Sequence, residues 1–197
     1  MMYTFTVQNK MGQFVNINEA IEGLRKGKTL LYPTDTIWGL GCMSNNDEAV
    51  QRIKEMKNRP ADKSFIVLVS TVAMLERSVK ELPEVCYDII DFSEKPTTII
   101  YDQPEGISSE VLAKDGSLGI RVTSDRSCQR MIQGIRCPLV STSANVSGSP
   151  SPTGFENVEQ SIKDGVDMIL NERLKEVMTS PSSIIKIGSN NNVEVIR

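Results

Sequence analysis

The amino-acid sequence predicts a single α/β domain built on an open, twisted, mixed sheet flanked by helices. The first reason is that apolar residues alternate along the chain between helical spacing and short strand-like runs. The second is size: 197 residues with 39% hydrophobic content suffice for one domain with its own core, which we expect to span residues 1–197. The longest apolar run, residues 65–69, is too short to cross a bilayer.

The predicted elements follow one another as helix and strand. Apolar residues recur at helical spacing over 17–24, and residues 28–32 then have strand composition. A second helix begins near Asp47, which can cap it, and precedes the buried strand at 65–69. The later predicted strands are 97–101, 118–122, 139–142, 168–170, 183–187 and 193–196. The helices between them are predicted at 84–92, 126–135 and 156–163.

The composition restricts both chemistry and location. Histidine is absent, which excludes Ser-His-Asp and Cys-His nucleophiles and histidine metal sites. The net charge of −3 argues against a protein that mainly coats nucleic acid, but it allows a local basic pocket. The cysteines form no CxxC pair and residues 1–12 contain no leader-like pattern, so we expect reduced thiols and a cytoplasmic protein with no membrane association. These cysteines are Cys42, Cys86, Cys128 and Cys137.

The segment Tyr32–Cys42 combines proline, two threonines, a carboxylate, the only tryptophan and two glycines at the end of a predicted strand. A strand end of this composition is a natural place for a ligand. The glycines let backbone approach a ligand, and Thr34 and Thr36 face one way if the extended conformation continues. An ordinary hairpin with a buried Trp38 explains the same residues equally well.

Three cations lie within the seven residues Lys57–Lys63, at the end of a predicted helix. A solvated charge cluster is the usual meaning of such a run, and cations at a helix C-terminus suit its dipole. The alternative is a phosphate clamp, because arginine offers a planar fork and lysine a point charge to phosphate oxygens. Pro60 would then fix the turn.

Residues 141–153 are rich in small hydroxyl side chains and follow a predicted strand. They form either a solvated loop or a loop that wraps phosphate or ribose with hydroxyl and backbone N–H groups. Upstream, Arg121 stands inside an apolar strand. A cation there needs a partner, either a substrate carboxylate or a structural acid.

Taken together, these stretches resemble the YrdC-type threonylcarbamoyl-AMP synthase family, also called TsaC. The likeness runs from about Ile17 to Ile187, in matching order, through YPTDTIWGLG, KNRPADK, LGIRV, STSANVSGSPSPT and the late Ser182-Ser183-Ile184. The resemblance implies a YrdC-like open twisted sheet with a concave, positively charged ligand surface. The chain is similar to the short form of the family, which lacks an extra C-terminal domain.

The resemblance also implies a reaction. Threonine, bicarbonate and ATP give threonylcarbamoyl-AMP and pyrophosphate, and a tRNA-modifying complex receives the adenylate. The substrate's own N-carboxylate attacks the α-phosphorus, so no protein nucleophile is needed, in keeping with the absence of histidine. We expect Mg²⁺ to accompany ATP without protein side-chain ligands, and catalysis to consist of positioning and charge neutralisation by Arg59 and Lys63.

The site residues are carried over by motif. Those expected to contact or lie near threonine are Thr36, Arg121, Ser141 and Ser182. Those expected to contact ATP are Arg59, Lys63, Ser117, Ser143, Ser151 and Arg197. The chain departs from many relatives at residues 92–98, where a Trp-Pro-Gly-Pro-like segment is usual, and at Leu68, where some relatives have histidine near threonine.

Two other functions remain open. One is a YrdC-like paralogue that acts on another carbamoyl or acyl adenylate; the run Ser-Thr-Ser-Ala-Asn at 141–145 favours the synthase over it. The other is an RNA-binding or ribosome-assembly factor, for which a concave basic surface would suffice for weak RNA binding. Overall acidity and an aromatic content of 5% make base stacking less attractive.

Overall fold

The computed structural model describes residues 11–60, 63–187 and 192–197. Its strands are β1 (Gln13–Val15), β2 (Leu30–Tyr32), β3 (Gly39–Gly41), β4 (Ile66–Val69), β5 (Thr97–Tyr101), β6 (Leu118–Val122), β7 (Leu139–Ser143), β8 (Met168–Leu170), β9 (Ser183–Ile187) and β10 (Val193–Val195). In the described residues they form one sheet in the order β1-β8-β2-β3-β7-β4-β6-β5-β9-β10. Parallel and antiparallel pairs both occur, which confirms the predicted open, mixed sheet.

The helices are α1 (Ile17–Arg25), α2 (Asp47–Met56), α3 (Val72–Glu76), α4 (Val85–Phe92), α5 (Arg126–Ile135) and α6 (Gln160–Gly165). Side-chain caps explain several of their starts. Asn16 and Glu19 form a capping box at α1, and Asp125 accepts from the Cys128 amide at α5. Asn46 caps α2 by accepting from the Ala49 amide, so the predicted capping role of Asp47 is wrong.

Some elements differ from the sequence-based expectation. The short strands β1 and β3 and the helix α3 were not predicted, because three to five residues carry too little periodicity. The helix predicted at 156–163 begins only at Gln160; a short 3₁₀ turn at Phe155–Asn157 precedes it. None of the helices in the described parts of the chain has both the length and the apolar character that a membrane crossing requires.

Two apolar clusters lie on opposite faces of the sheet. Val67 belongs to the cluster that also contains Ile53 of α2, whereas the next residue, Leu68, belongs to the cluster with Ile132 of α5. Neighbouring residues of a strand point to opposite faces, so α2 and α5 cover different sides. Helices α1 and α5 share their side in close contact.

Candidate functional site

A cavity of about 470 Å³ lies on the face of the sheet that carries α1 and α5. Leu68 and Leu139 pack in the core with α5, but Ile66 and Ser141, two residues away on the same strands, line the cavity. The sheet is therefore covered by helix at one end of these strands and open at the other. The volume suits a small-molecule ligand, since such pockets measure roughly 300–1,000 Å³.

The floor of the cavity is one row of residues across four neighbouring strands. The register pairs Ser141 with Ile66, Ile66 with Gly119, and Gly119 with Ile100. All of them line the cavity. A Cβ on Gly119 would lie 3.0 Å from Cγ2 of Thr98. Any other residue here would therefore crowd Thr98 and fill part of the cavity.

Most of the predicted site residues meet at this cavity although they are far apart in sequence. Those that line it are Thr36, Arg59, Arg121, Ser141, Ser143, Ser151, Ser182 and Arg197. Two predicted ATP contacts, Lys63 and Ser117, are not among the lining residues. The Ser117 hydroxyl donates to Oδ1 of Asp115 at 2.6 Å. Lys63 is exposed; together with Lys57 and Arg59 it forms the charged segment here called the cation turn.

The connection between β2 and β3 is both a hairpin and a wall of the cavity. Trp38 is fully buried, as the hairpin interpretation expects, while Thr34, Thr36 and Ile37 line the cavity. Oγ1 of Thr34 accepts from the amides of Thr36 and Ile37, at 3.0 and 3.2 Å. This turn, and not continued extended backbone, brings the two threonine hydroxyls within 2.9 Å of each other.

Arg121 pairs with an acid of the protein itself, Asp35, which is one of the two partners that the sequence allowed. Its Nη2 atom lies 2.8 Å from Oδ1 of Asp35, and Oγ1 of Thr123 donates to the other oxygen of that carboxylate at 3.2 Å. The Nε atom of Arg121 is buried and has no hydrogen-bond partner in the described residues. A buried donor without a partner is costly, and an anionic ligand in the cavity would satisfy it.

Arg59 and Lys57 of the cation turn lie in different environments: Arg59 lines the cavity and Lys57 is buried away from it. Arg59 lines the cavity, donates to the carbonyls of Lys63 and Ser64, and stacks over the Phe65 ring at 4.6 Å. Burial lowers the pKa of its guanidinium, which still stays protonated. Lys57 is buried and faces backbone carbonyls, so the interpretation of all three cations as one phosphate clamp is wrong for this residue.

The last two residues, Ile196 and Arg197, also line the cavity. Nε and Nη2 of Arg197 donate to the carbonyl of Ser182, at 3.3 and 3.1 Å. The Ser182 hydroxyl lies 2.9 Å from that of Thr98, and both residues line the cavity. Thr34 was predicted to lie at a ligand-bearing strand end but was assigned to no substrate, and Thr98 was not predicted as a site residue. The only sequence signal for Thr98 is its alternation with the cavity residue Ile100 along one strand.

The two departures from the family pattern occupy different environments. Leu68 is fully buried in the core with α5 and is not among the cavity-lining residues. In the segment 92–98, Phe92 is 80% exposed and only Thr98 reaches the cavity lining. This segment therefore contributes one residue, Thr98, to the cavity lining.

Among the described residues, the charged side chains that line the cavity belong to three arginines, Arg59, Arg121 and Arg197, and no aspartate or glutamate is among them. A chain of net charge −3 thus presents a locally cationic cavity. The described cysteines are free and buried, and burial raises the pKa of the Cys42 thiol to about 12. Hydroxyls and arginines can bind anions. A buried thiol of raised pKa such as that of Cys42 is not an activated thiolate nucleophile.

The comparisons with known proteins agree on one family. The family model Sua5/YciO/YrdC, described as Telomere recombination, matches residues 22–197. The chain is 35% identical over 140 residues to a threonylcarbamoyl-AMP synthase of Acinetobacter baumannii, covering 68% of this chain and 74% of that protein. It is 31% identical over 158 residues to a protein of the same name from Vibrio parahaemolyticus, covering 79% and 85%.

A solved structure from the same family has a similar fold. Sua5 of P. abyssi, complexed with L-threonine, matches with a TM-score of 0.81 at 26% identity. The match covers 92% of this chain and 53% of the Sua5 chain, so this chain spans about half the length of that protein.

Proposed function

The chain belongs to the Sua5/YciO/YrdC family, and from this we propose that it is an L-threonylcarbamoyladenylate synthase, a nucleotidyltransferase of tRNA modification. The observation that carries the proposal is one cationic cavity lined by Thr36, Arg59, Arg121 and Ser143. An amino-acid carboxylate and a triphosphate are both anions, and this cavity offers separate arginines to each of them.

The proposed chemistry needs no protein nucleophile. The amino group of threonine combines with bicarbonate to give an N-carboxylate and water. An oxygen of that carboxylate attacks the α-phosphorus of ATP, the bond to the β-phosphate oxygen breaks, and pyrophosphate leaves. The protein holds the reactants in line and neutralises phosphate charge, which can supply much of the rate enhancement of such a step.

Threonine binds, in this proposal, beside the β2–β3 connection. Arg121 receives the carboxylate through its unpartnered edge, because Asp35 already occupies Nη2. The hydroxyls of Thr36, Ser141 and Ser182 lie on the same cavity and are available to the polar groups of the amino acid.

ATP binds along the cation turn and the hydroxyl-rich loop. Arg59, Ser143, Ser151 and Arg197 line this part of the proposed site. Lys63 is exposed and lies four residues after Arg59 in the sequence. With Ser117 it stays a predicted contact that the cavity lining does not include.

Mg²⁺ enters the proposal as part of the ATP substrate. The described residues contain no group of three histidine, cysteine, aspartate or glutamate side chains that could hold a metal ion, and none of their aspartates or glutamates lines the cavity. Mg²⁺ is often held by substrate phosphates and water with few protein ligands. Hydroxyls such as that of Ser143 fit an ion carried in this way.

The product requires a partner that transfers the threonylcarbamoyl group to an adenosine of tRNA. We place the protein in the cytoplasm with that tRNA-modifying complex, and we assign bicarbonate as the third substrate. Free, buried cysteines suit a reducing compartment.

The test is an incubation of the purified chain with ATP, bicarbonate and labelled threonine, analysed for pyrophosphate and the adenylate by mass spectrometry. We expect both products together, and neither when threonine or bicarbonate is left out. Adenylate formation with another acyl or carbamoyl substrate, but not with threonine, would contradict the proposal in favour of a paralogue. Tight RNA binding without any adenylate would favour the RNA-binding alternative.

A further inference from the structure

Arg173 is a charged residue outside the cavity to which the proposed reaction gives no role. It lies in residues 171–182, the connection between β8 and β9, and it is not among the residues that line the cavity. Its backbone φ is +53°, in the left-handed region that residues other than glycine rarely adopt. Strain of this kind persists where surrounding contacts fix the residue, and it is concentrated at functional sites. The contacts of the Arg173 side chain therefore indicate a defined task.

The guanidinium of Arg173 contacts three different groups. Its Nη2 atom donates to the backbone carbonyl of Thr34 at 3.0 Å. Nη1 forms an ion pair with Asp125, whose side chain is 9% exposed, and Nε pairs with Glu176. A planar guanidinium can serve such partners together, because its five N–H groups point in fixed directions. The carbonyl of Thr34 thus receives a donor from a segment 139 residues later in the chain.

The carbonyl of Thr34 belongs to the planar peptide unit that joins Thr34 to Asp35. Oγ1 of Thr34 accepts from the amides of Thr36 and Ile37, which shapes the turn and brings the two threonine hydroxyls together. The carboxylate of Asp35 holds Nη2 of Arg121. A donor that fixes this peptide unit therefore orients both the hydroxyls of the cavity wall and the carboxylate that holds Arg121.

Asp125 connects Arg173 to the other side of the same turn. The Asp125 side chain caps α5, so its place is fixed by the start of that helix. Its backbone amide donates to Oγ1 of Thr123 at 3.2 Å, and that hydroxyl donates to Oδ2 of Asp35 at 3.2 Å. The peptide unit between Thr34 and Asp35 is therefore held on both sides, directly by Arg173 and indirectly by the ion-pair partner of Arg173.

We propose that Arg173 is a positioning residue for threonine: by holding the Thr34 carbonyl it sets the β2–β3 connection, and with it Arg121, for the amino-acid substrate, without contacting that substrate. This inference rests on the proposed function of the cavity as a threonine site. It adds that the β8–β9 connection supports the threonine side of the cavity from behind.

The test measures the dissociation constants of threonine and of MgATP separately, by calorimetry, for the wild-type protein and for Arg173→Gly. Glycine adopts a φ of +53° without strain, so this variant removes the guanidinium and spares the backbone. We expect threonine binding to weaken by roughly fivefold or more, since a hydrogen bond from a charged group is lost behind the site. MgATP binding should stay within about twofold of wild type, because Arg173 contacts the threonine side of the cavity.

Glu176→Gln is the matched control. It removes the charge of one partner of Arg173 but leaves the contacts to Asp125 and to the Thr34 carbonyl. Glu176 is exposed, and exposed ion pairs contribute little, so we expect threonine and MgATP binding as in wild type. A loss of threonine binding equal to that of Arg173→Gly would show that the connection as a whole supports the site, and would overturn the assigned role of the Thr34 contact.

Arg173→Lys is measured against the same criteria if Arg173→Gly does not fold. Lysine keeps a positive charge opposite Asp125, but its ammonium lacks the fork that reaches two groups in fixed directions. We expect weaker threonine binding and unchanged MgATP binding, with thermal unfolding as the check that the variant is folded. Threonine affinity equal to wild type in this folded variant would overturn the inference.

Hydrogen exchange of the Thr36 and Ile37 amides separates positioning from general structural support. Both amides donate to Oγ1 of Thr34, so their protection reports the order of the turn. We expect faster exchange at these two amides in Arg173→Gly and unchanged exchange in β4. Faster exchange throughout the sheet, with equal loss of threonine and MgATP binding, would mean general support and would overturn the positioning role.

The wild-type protein separates this inference from the proposed function. Threonine binding by wild type that is matched by folded Arg173→Gly would overturn the inference and leave the proposed function intact. Failure of the wild-type protein itself to bind threonine would instead contradict the proposed function on which the inference rests.

Discussion

Arg121 and Asp35 form a buried ion pair beside the cavity: Nη2 lies 2.8 Å from Oδ1, and the side chains are 4% and 8% exposed. Asp35 comes from the β2–β3 connection and Arg121 from the second half of β6, so the pair connects the two parts of the proposed threonine site. One edge of the guanidinium is thus fixed by protein, and its Nε atom is left for a ligand.

Replacing Arg121 with alanine should impair threonine binding selectively. We expect the KM for threonine to rise by roughly tenfold or more, the loss of a charge-assisted contact, while the KM for ATP changes little. Steady-state kinetics with each substrate varied in turn measures both values. Because the change leaves Asp35 buried without its partner, the folded fraction is checked by thermal unfolding. Equal increases for both substrates would contradict the assigned role of Arg121.

A methyl group on Gly119 should damage the floor of the cavity. Its Cβ would lie 3.0 Å from Cγ2 of Thr98 and 3.4 Å from Cγ1 of Ile66, so neighbouring side chains must shift by a few tenths of an ångström. We expect Gly119→Ala to lower kcat/KM by roughly tenfold, because small misplacements of bound reactants are costly. The midpoint of thermal unfolding should change by only a few degrees, about the effect of 1 kcal/mol. Full activity would show that neither substrate uses this floor.

Leu68→Ala should affect stability and leave threonine affinity alone. Leu68 is fully buried in the core with α5, and such truncations cost about 2–5 kcal/mol of unfolding free energy. Denaturant unfolding measures that loss, and calorimetry on the folded protein measures threonine binding. A protein of unchanged stability that binds threonine poorly would place Leu68 in the substrate site after all.

The unfolding free energy should depend on pH through Lys57. Its pKa is about 7 in the folded protein, against 10.5 for an ordinary lysine, so the unfolded chain binds more protons between these values. Stability from this group therefore rises as pH increases above about 7, by at most about 1.4 kcal/mol per pH unit. We expect the stability of wild type relative to Lys57→Met to rise between pH 7 and 8.5. A difference that is flat with pH would mean that Lys57 is not destabilised in its charged form.

Much of the fold follows from sequence because its longer strands have simple patterns. The buried strand after α2 and the Arg121 strand are recognisable from apolar runs of a few residues. The strand β3 is not, because Gly39–Gly41 has no strand-like composition and pairs only because β2 and β7 flank it. Its pairing is a tertiary effect that local pattern does not carry.

The sequence motifs that form the site could be recognised, but the role of each residue within a motif was harder to predict. Lys57 and Arg59 stand two residues apart in one charged turn, yet Arg59 lines the cavity and Lys57 is buried behind it. The difference arises from carbonyls 86 and 88 residues later in the chain, at Ser143 and Asn145. Sequence spacing alone cannot reveal such a long-range contact.

The central claim is that one cavity holds a triphosphate beside threonine and transfers the adenylyl group. The most direct measurement follows the label from ATP carrying phosphorus-32 at either the α or the γ position, with threonine and bicarbonate present. We expect the α label in a threonine-dependent adenylate and the γ label in pyrophosphate. Release of γ label as inorganic phosphate, independent of threonine, would contradict the account.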